Sequence, residues 1–195
     1  MSVNIVVKDK DRVYVAVDSQ VTAGDTKAIF TNPNSIKMWK VNGIDNCIMA
    51  HCGDYRDACL IRTMNLAGGA SNIDFSFVVN EIVPNIVQEL INADYISIAN
   101  KYIENCPSTW FVVCKDKAFA ISDKLAVVEI EDYSAHGSGK YNALGSLAST
   151  TKEKPLDRIK KAIKASANNN IYVDFPIYVM DTKTMEIKTI NKEEL

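Results

Sequence analysis

Arg12-Val-Tyr-Val-Ala-Val-Asp18 alternates with a period of two: Val13, Val15 and Val17 share one face, and Tyr14, Ala16 and Asp18 share the other. β-Branched residues at every second position make this a strand with an apolar face, and Asp18 sets a carboxylate at its end. Asn4 to Lys8 is a second β-rich run. The polar turn Asp9-Lys10-Asp11 lies between the two, so they form a hairpin. Downstream, Thr26 to Phe30, Ile36 to Val41 and Cys47 to Cys52 continue as strands, the last two folded about Asn42-Gly43.

At Gly53-Asp54 the period changes. Asp54 suits a helix N-cap, Leu60, Ile61 and Met64 fall on one helical side, and Gly68-Gly69 ends the run. A second helix is marked by Phe75, Val78, Val79, Ile82, Val83, Ile86, Val87, Leu90 and Ile91, spaced three and four apart, with Pro84 on the polar side to kink or divide it. Strands return at Trp110 to Cys114, Ala118 to Ser122 and Leu125 to Ile130. A third helix follows Gly139 and turns Tyr141, Leu144, Leu147 and Ala148 inward; a fourth begins near Pro155 and carries Leu156, Ile159 and Ile163. Pro176 to Asp181 and Glu186 to Ile190 are closing strands. Strands and helix pairs in blocks exclude a doubly wound parallel sheet, whose elements alternate one by one. They fit an α+β fold, a four-layer αββα sandwich of two antiparallel sheets face to face with a helix pair on each outside.

With 195 residues, 47% hydrophobic and 24% charged, residues 1–195 are read as a single domain with a sizeable core. A net charge of -2 leaves no basic surplus for a nucleic-acid partner. No apolar run approaches the roughly 20 residues that span a bilayer, and no charged leader precedes an apolar signal core, so a cytoplasmic protein without a membrane partner is expected. The five cysteines are an odd number without CxxC spacing and read as reduced core residues. His51-Cys52 is adjacent rather than at ligand spacing, so neither a metal nor another cofactor is expected.

The chemistry is concentrated at the N-terminus. Ser2 stands directly behind Met1, and a serine hydroxyl is a poor nucleophile until a base takes its proton. The only histidines are His51 and His136, and no Ser-His-Asp constellation is evident from their positions. Removal of Met1 supplies another base, the α-amine of Ser2, whose ordinary pKa of about 8 is the lowest of any amine in a protein. With Met1 retained, that amine is an amide and accepts no proton.

The order of Asp18, Ser19-Gln-Val-Thr-Ala-Gly-Asp25, Ser35-Ile-Lys37-Met and Ile48-Met-Ala-His-Cys-Gly53-Asp-Tyr-Arg-Asp57 resembles the proteasome β subunits and the related bacterial HslV peptidase. These are N-terminal-nucleophile hydrolases, and the αββα sandwich is their fold. The resemblance covers nearly the whole chain, and counting back from Asp18 the family's catalytic threonine falls on Ser2. It implies that Lys37 is the active-site lysine, whose ammonium lowers the pKa of the Ser2 amine, and that Asp18 keeps this lysine charged and oriented. Gly53, four residues before Asp57, would donate its N–H to the oxyanion. Ser138, within Gly137-Ser138-Gly139, would stand near the N-terminal amine. A phosphate-binding loop at the same place fails, because it needs a glycine where Ser134 stands and a Ser or Thr where Tyr141 stands.

Two departures stand out. The family's aspartate after the fourth helix falls on Asn168, which keeps hydrogen bonds but carries no charge. Serine in place of threonine loses the methyl that restricts χ1. Val21, Ser35, Trp39, His51 and Tyr55 match the lining of the family's substrate pocket, which implies an apolar, aromatic-walled site taking apolar or aromatic side chains on the N-terminal side of the cut bond. Taken singly, these residues have plainer readings: Asp18 a turn carboxylate, Lys37 a solvated lysine, Gly53 a strand-to-helix glycine, Trp39 and Tyr55 core aromatics.

The resemblance implies cleavage of a polypeptide substrate inside a ring-shaped homo-oligomer, with an ATP-dependent unfoldase as a further partner. The lack of an extension before the first strand sets the expectation apart from proteasome α subunits. Two other functions fit the same residues: a catalytically inactive proteasome-like ring subunit, consistent with Asn168 and Ser2, and an N-terminal-nucleophile amidase acting on a small amide.

Overall fold

In the computed structural model, which describes residues 2–66, 73–99, 102–104, 106 and 108–194, the first hairpin forms as its alternation dictates. β1 (Val3–Asp9) and β2 (Arg12–Asp18) pair antiparallel from Asn4 opposite Val17 to Asp9 opposite Arg12. β3 (Gln20–Ala23) and β4 (Thr26–Ile29) make a small hairpin of their own, and β5 (Met38–Lys40) pairs with β6 (Cys47–Cys52). α1 (Tyr55–Arg62) follows, capped by the Asp54 carboxylate, which accepts the Arg56 N–H at 2.9 Å.

The second helix is divided as Pro84 requires. One turn, α2 (Phe75–Phe77), passes into a π-helical stretch (Val78–Ile82) and then α3 (Val83–Asn92). Pro84 offers no N–H, and the Val83 N–H beside it reaches back five residues to the Val78 carbonyl, widening the helix just ahead of the proline. After the hairpin of β7 (Ser97–Ala99) and β8 (Tyr102–Glu104) come β9 (Thr109–Cys114), β10 (Lys117–Ile121), β11 (Val127–Glu129) and β12 (Tyr133–Gly137). α4 (Lys140–Ser149), α5 (Pro155–Asn169), β13 (Ile177–Asp181) and β14 (Lys188–Ile190) complete the order.

Two five-stranded antiparallel sheets result, β12-β1-β2-β13-β14 and β11-β10-β9-β6-β5. Val13, Val15 and Val17 are fully buried between them, with Phe111, Val113 and Ile48 from the opposite sheet. At about 1.5–3 kcal/mol for each large apolar side chain, this inner layer holds the sheets together. Tyr14 and Ala16 face the other way, toward Leu147, Ile159 and Ile163 of α4 and α5. Val78, Ile82, Ile86 and Leu90, each four residues apart, cover the far side of the second sheet with Ala58 and Ile61 of α1. The four layers expected from the sequence are present.

The structure departs from the sequence reading in detail. α4 buries Ala143 and Leu147, whereas Tyr141 is 76% exposed and Ala148 is also exposed, because neither lies on the helical line that residues 143 and 147 define. Phe75 and Val79 are likewise exposed on the outer flank of their stripe. Gly68-Gly69 lies outside the described residues; α1 ends earlier, at Arg62. β12 was not anticipated: it is an edge strand whose Tyr-Ser-Ala-His-Gly sequence lacks an apolar run. Among the described residues no helix is long and apolar enough to cross a membrane.

Candidate active site

Asp18 ends β2 and is fully buried, which a carboxylate tolerates only when its oxygens are met by donors. Lys37 Nζ donates to Oδ1 at 2.7 Å, the Val3 N–H to the same oxygen at 3.0 Å, and the Gln20 N–H to Oδ2 at 3.1 Å. The register of the first hairpin brings this about: with Asn4 opposite Val17, Val3 comes level with Asp18.

Lys37, immediately before β5, is 4% exposed and spends all three ammonium donors. They go to Asp18 Oδ1, to the Gln20 carbonyl at 2.7 Å and to the Ser2 hydroxyl oxygen. Its own carbonyl accepts the His51 N–H at 2.9 Å, which ties this segment to β6. A hydroxyl oxygen in contact with a buried ammonium is placed where negative charge is favoured, as deprotonation for attack requires.

The main chain of Ser2 is held by the loop between β12 and α4. Its carbonyl accepts the Gly139 N–H at 3.1 Å and the Ser138 hydroxyl at 3.3 Å. Gly137 packs against the same carbonyl at φ +95°, and a Cβ there would lie 2.2 Å from the Ser2 oxygen, so no other residue fits. Cys52 also touches Gly137, but burial pushes its thiol up, which leaves it a poor rival nucleophile.

Gly53 closes β6 at φ +152° and lines, with Ser2, Lys37, Val21, His51 and Tyr55, a cavity of about 340 Å³. Of the five expected pocket residues, three line this cavity: Val21, His51 and Tyr55. Ser35 supports it from behind, its carbonyl accepting the Tyr55 hydroxyl at 3.1 Å, while the Phe30 ring meets Tyr55 edge-on at 5.0 Å. Trp39 is not a wall residue. It is buried in the core beneath α1, with the Arg62 guanidinium 5.0 Å over its ring. Gln20, Thr22 and Asp54 occupy further wall positions beside Ala23, so the wall carries polar groups that the sequence reading did not include.

Asn168 requires a correction. It is exposed on the last turn of α5, and the asparagine that meets Ser138 is Asn170, just past the helix end. Asn170 Nδ2 donates to the Ser138 carbonyl at 2.8 Å, and its Oδ1 accepts the Tyr172 N–H at 2.9 Å and the Ser138 hydroxyl at 3.4 Å. Three asparagines in a row, Asn168 to Asn170, leave their register open in the sequence; the end of α5 selects the third. The sequence also gave no sign that Ser108 and Asp57 would gather around His51, since Ser108 lies 57 positions from it.

By sequence the chain matches no protein-family model and no curated protein. Its fold does have solved counterparts. Thiobacillus denitrificans BPH in complex with epoxomicin superposes with a TM-score of 0.72 at 17% identity, over 92% of this chain and 97% of that one. Anbu (ancestral beta-subunit) from Yersinia bercovieri gives 0.69 at 13% identity, over 98% and 88% of the two chains. The helical assembly of the Anbu complex from Pseudomonas aeruginosa gives 0.72 at 12% identity, over 98% and 87%. At these identities the likeness establishes the fold, the one that the sequence resemblance implied.

Proposed function

We propose that this chain is an N-terminal-nucleophile peptidase that works within a self-assembled oligomer. The observation that carries the reading is the buried ammonium of Lys37, bonded at once to Asp18 and to the Ser2 hydroxyl. After Met1 is removed, the Ser2 amine takes the hydroxyl proton and Oγ adds to the peptide carbonyl. The oxyanion is met by the Gly53 N–H. Collapse expels the peptide amine with the transferred proton and leaves an ester on Ser2, which water hydrolyses to free acid and regenerated serine. BPH in complex with epoxomicin and the helical Anbu assembly support, by analogy of fold, a site that takes such a ligand and self-association. HslV-like behaviour and an unfoldase partner rest on the sequence resemblance alone.

Asn170 favours a second reading, an inactive ring subunit, because a neutral amide stands against Ser138 where the family places an aspartate. Intact mass before and after treatment with epoxomicin separates the two. An active enzyme loses one methionine and gains a single adduct that Ser2→Ala abolishes; retained Met1 with no adduct refutes the peptidase and leaves the ring subunit.

A further inference from the structure

His51, Asp57 and Ser108 come from separate segments and meet behind Gly53. Ser108 is fully buried; its Oγ lies 3.0 Å from His51 Nε2 and accepts the Asp54 backbone N–H at 3.1 Å. Asp57 is fully buried too, set beside the Tyr95 hydroxyl, with His51 Nε2 standing 3.7 Å from Oδ1. A second Ser-His-Asp triad is excluded by geometry. The serine is beyond a substrate's reach, and serine and aspartate face the same imidazole nitrogen, so the ring cannot take a proton at one nitrogen while the aspartate holds the other.

What these groups grip is the Gly53 turn. The peptide that follows Gly53 is held by Ser108, through the Asp54 N–H. The peptide that precedes it, which carries the Gly53 N–H, is held by the next residue: Thr109 Oγ1 donates to the Cys52 carbonyl at 3.3 Å. Contact is close enough that a Cβ on Gly53 would lie 2.0 Å from Ser108 Oγ. Two consecutive hydroxyls therefore clamp both peptide planes on either side of the glycine, and His51 fixes the first of them.

We propose that Ser108, oriented by His51, is a positioning residue that aims the Gly53 N–H at the oxyanion. This rests on the reading of Gly53 as oxyanion donor and of Ser2 as nucleophile. Preorganised donors matter because each is worth about 10²–10³ in rate, and a donor free to swing forfeits part of that. The experiment combines hydrogen–deuterium exchange of residues 52–56 with peptide hydrolysis for the wild type, Ser108→Ala, Ser108→Thr and Thr109→Val. Exchange in this segment should quicken at least tenfold in Ser108→Ala and Thr109→Val, and β1 and β2 should stay unchanged. Over the same variants kcat should fall about tenfold to a hundredfold with KM held within twofold, and Ser108→Thr should recover most of both. Unchanged exchange at 52–56 overturns the clamp. Quickened exchange with kcat intact overturns its catalytic role. Quickened exchange in a protein whose wild type cleaves nothing supports the clamp and defeats the Ser2 reading instead. Thr109→Val is the nearly isosteric alternative should Ser108→Ala not fold.

Discussion

Lys37→Met would remove the only cation bonded to Asp18 among the described residues and leave the carboxylate fully buried, with two backbone N–H groups for company. Breaking a buried pair from one side costs about 3–5 kcal/mol, because the remaining charge is left uncompensated. The Val3 and Gln20 N–H bonds keep the cost near the lower end, about 3 kcal/mol. In a chain of this size that lowers Tm by about 6–12 °C. Asp18→Asn removes the charge, but its NH₂ group must then face one of those two N–H donors, an unmatched pair worth about 1–3 kcal/mol, and Lys37 keeps only neutral acceptors. The double variant has no buried charge to strand. It should therefore cost less than the sum of the single variants by about 2 kcal/mol or more. Urea denaturation of the four proteins, with unchanged m-values as the check on a common transition, measures this coupling. Additivity within about 0.5 kcal/mol would show that the two groups do not act as a pair, and would remove the observation on which the proposed chemistry stands.

Three further outcomes are expected. Gly53→Ala forces a methyl into Ser108 at a backbone angle of φ +152°, so it should abolish hydrolysis and lower Tm; a wild-type melting curve would refute the clamped geometry. His136, stacked on Phe111 at 4.2 Å, has its pKa pushed down to about 4, first by burial and then by Lys140, against an ordinary 6.5. The unfolded chain thus binds the extra proton first, so stability is whole above pH 6.5 and falls as pH drops toward 4, by at most about 3 kcal/mol, and His136→Phe should flatten that slope in urea titrations at stepped pH. Asn170→Asp replaces the Nδ2 donor to the Ser138 carbonyl by an oxygen, which should cost about 1–2 kcal/mol; if the wild type proves unreactive, new epoxomicin labelling of Ser2 in this variant would identify the missing charge as the cause.

The layers could be read from the sequence because alternation and helical spacing report burial directly. Val13, Val15 and Val17 face one core and Ala16 another, as their period requires. Edge strand β12 escaped because half-exposed strands carry little apolar signal, and Tyr141 was misassigned because an aromatic in a helix reads as core when its neighbours are small. At the candidate site, Asp18, Lys37 and Gly53 were singled out by the resemblance of their order along the chain, and the structure brings Asp18 and Lys37 into contact. Asn170 and Ser108 were not singled out. The first depends on where α5 ends among three asparagines, the second on a long-range contact between strands with no local pattern to betray it.

The two departures from the pattern that the sequence resembles differ in weight once the contacts are compared. Serine lacks the methyl that would bias χ1, yet Ser2 is fixed without it: its Oγ is held by Lys37, its carbonyl by Gly139 and Ser138, and the following N–H by Asp18. Three of these anchors are on Ser2 itself and the fourth is on its neighbour Val3; the Lys37 contact to Oγ supplies the bias on χ1 that the methyl would have given. No such substitute exists for a charge. Asn170 gives its donor to the Ser138 carbonyl, and the Ser138 hydroxyl is shared between the Ser2 carbonyl and Asn170 Oδ1, so that arm of the network is satisfied and neutral. An amine that must gain a proton as Ser2 attacks would be stabilised by a carboxylate in that position and is not stabilised by an amide. On the proposed reading, peptide cleavage therefore depends on position 170 and on the removal of Met1, and far less on serine standing in for threonine.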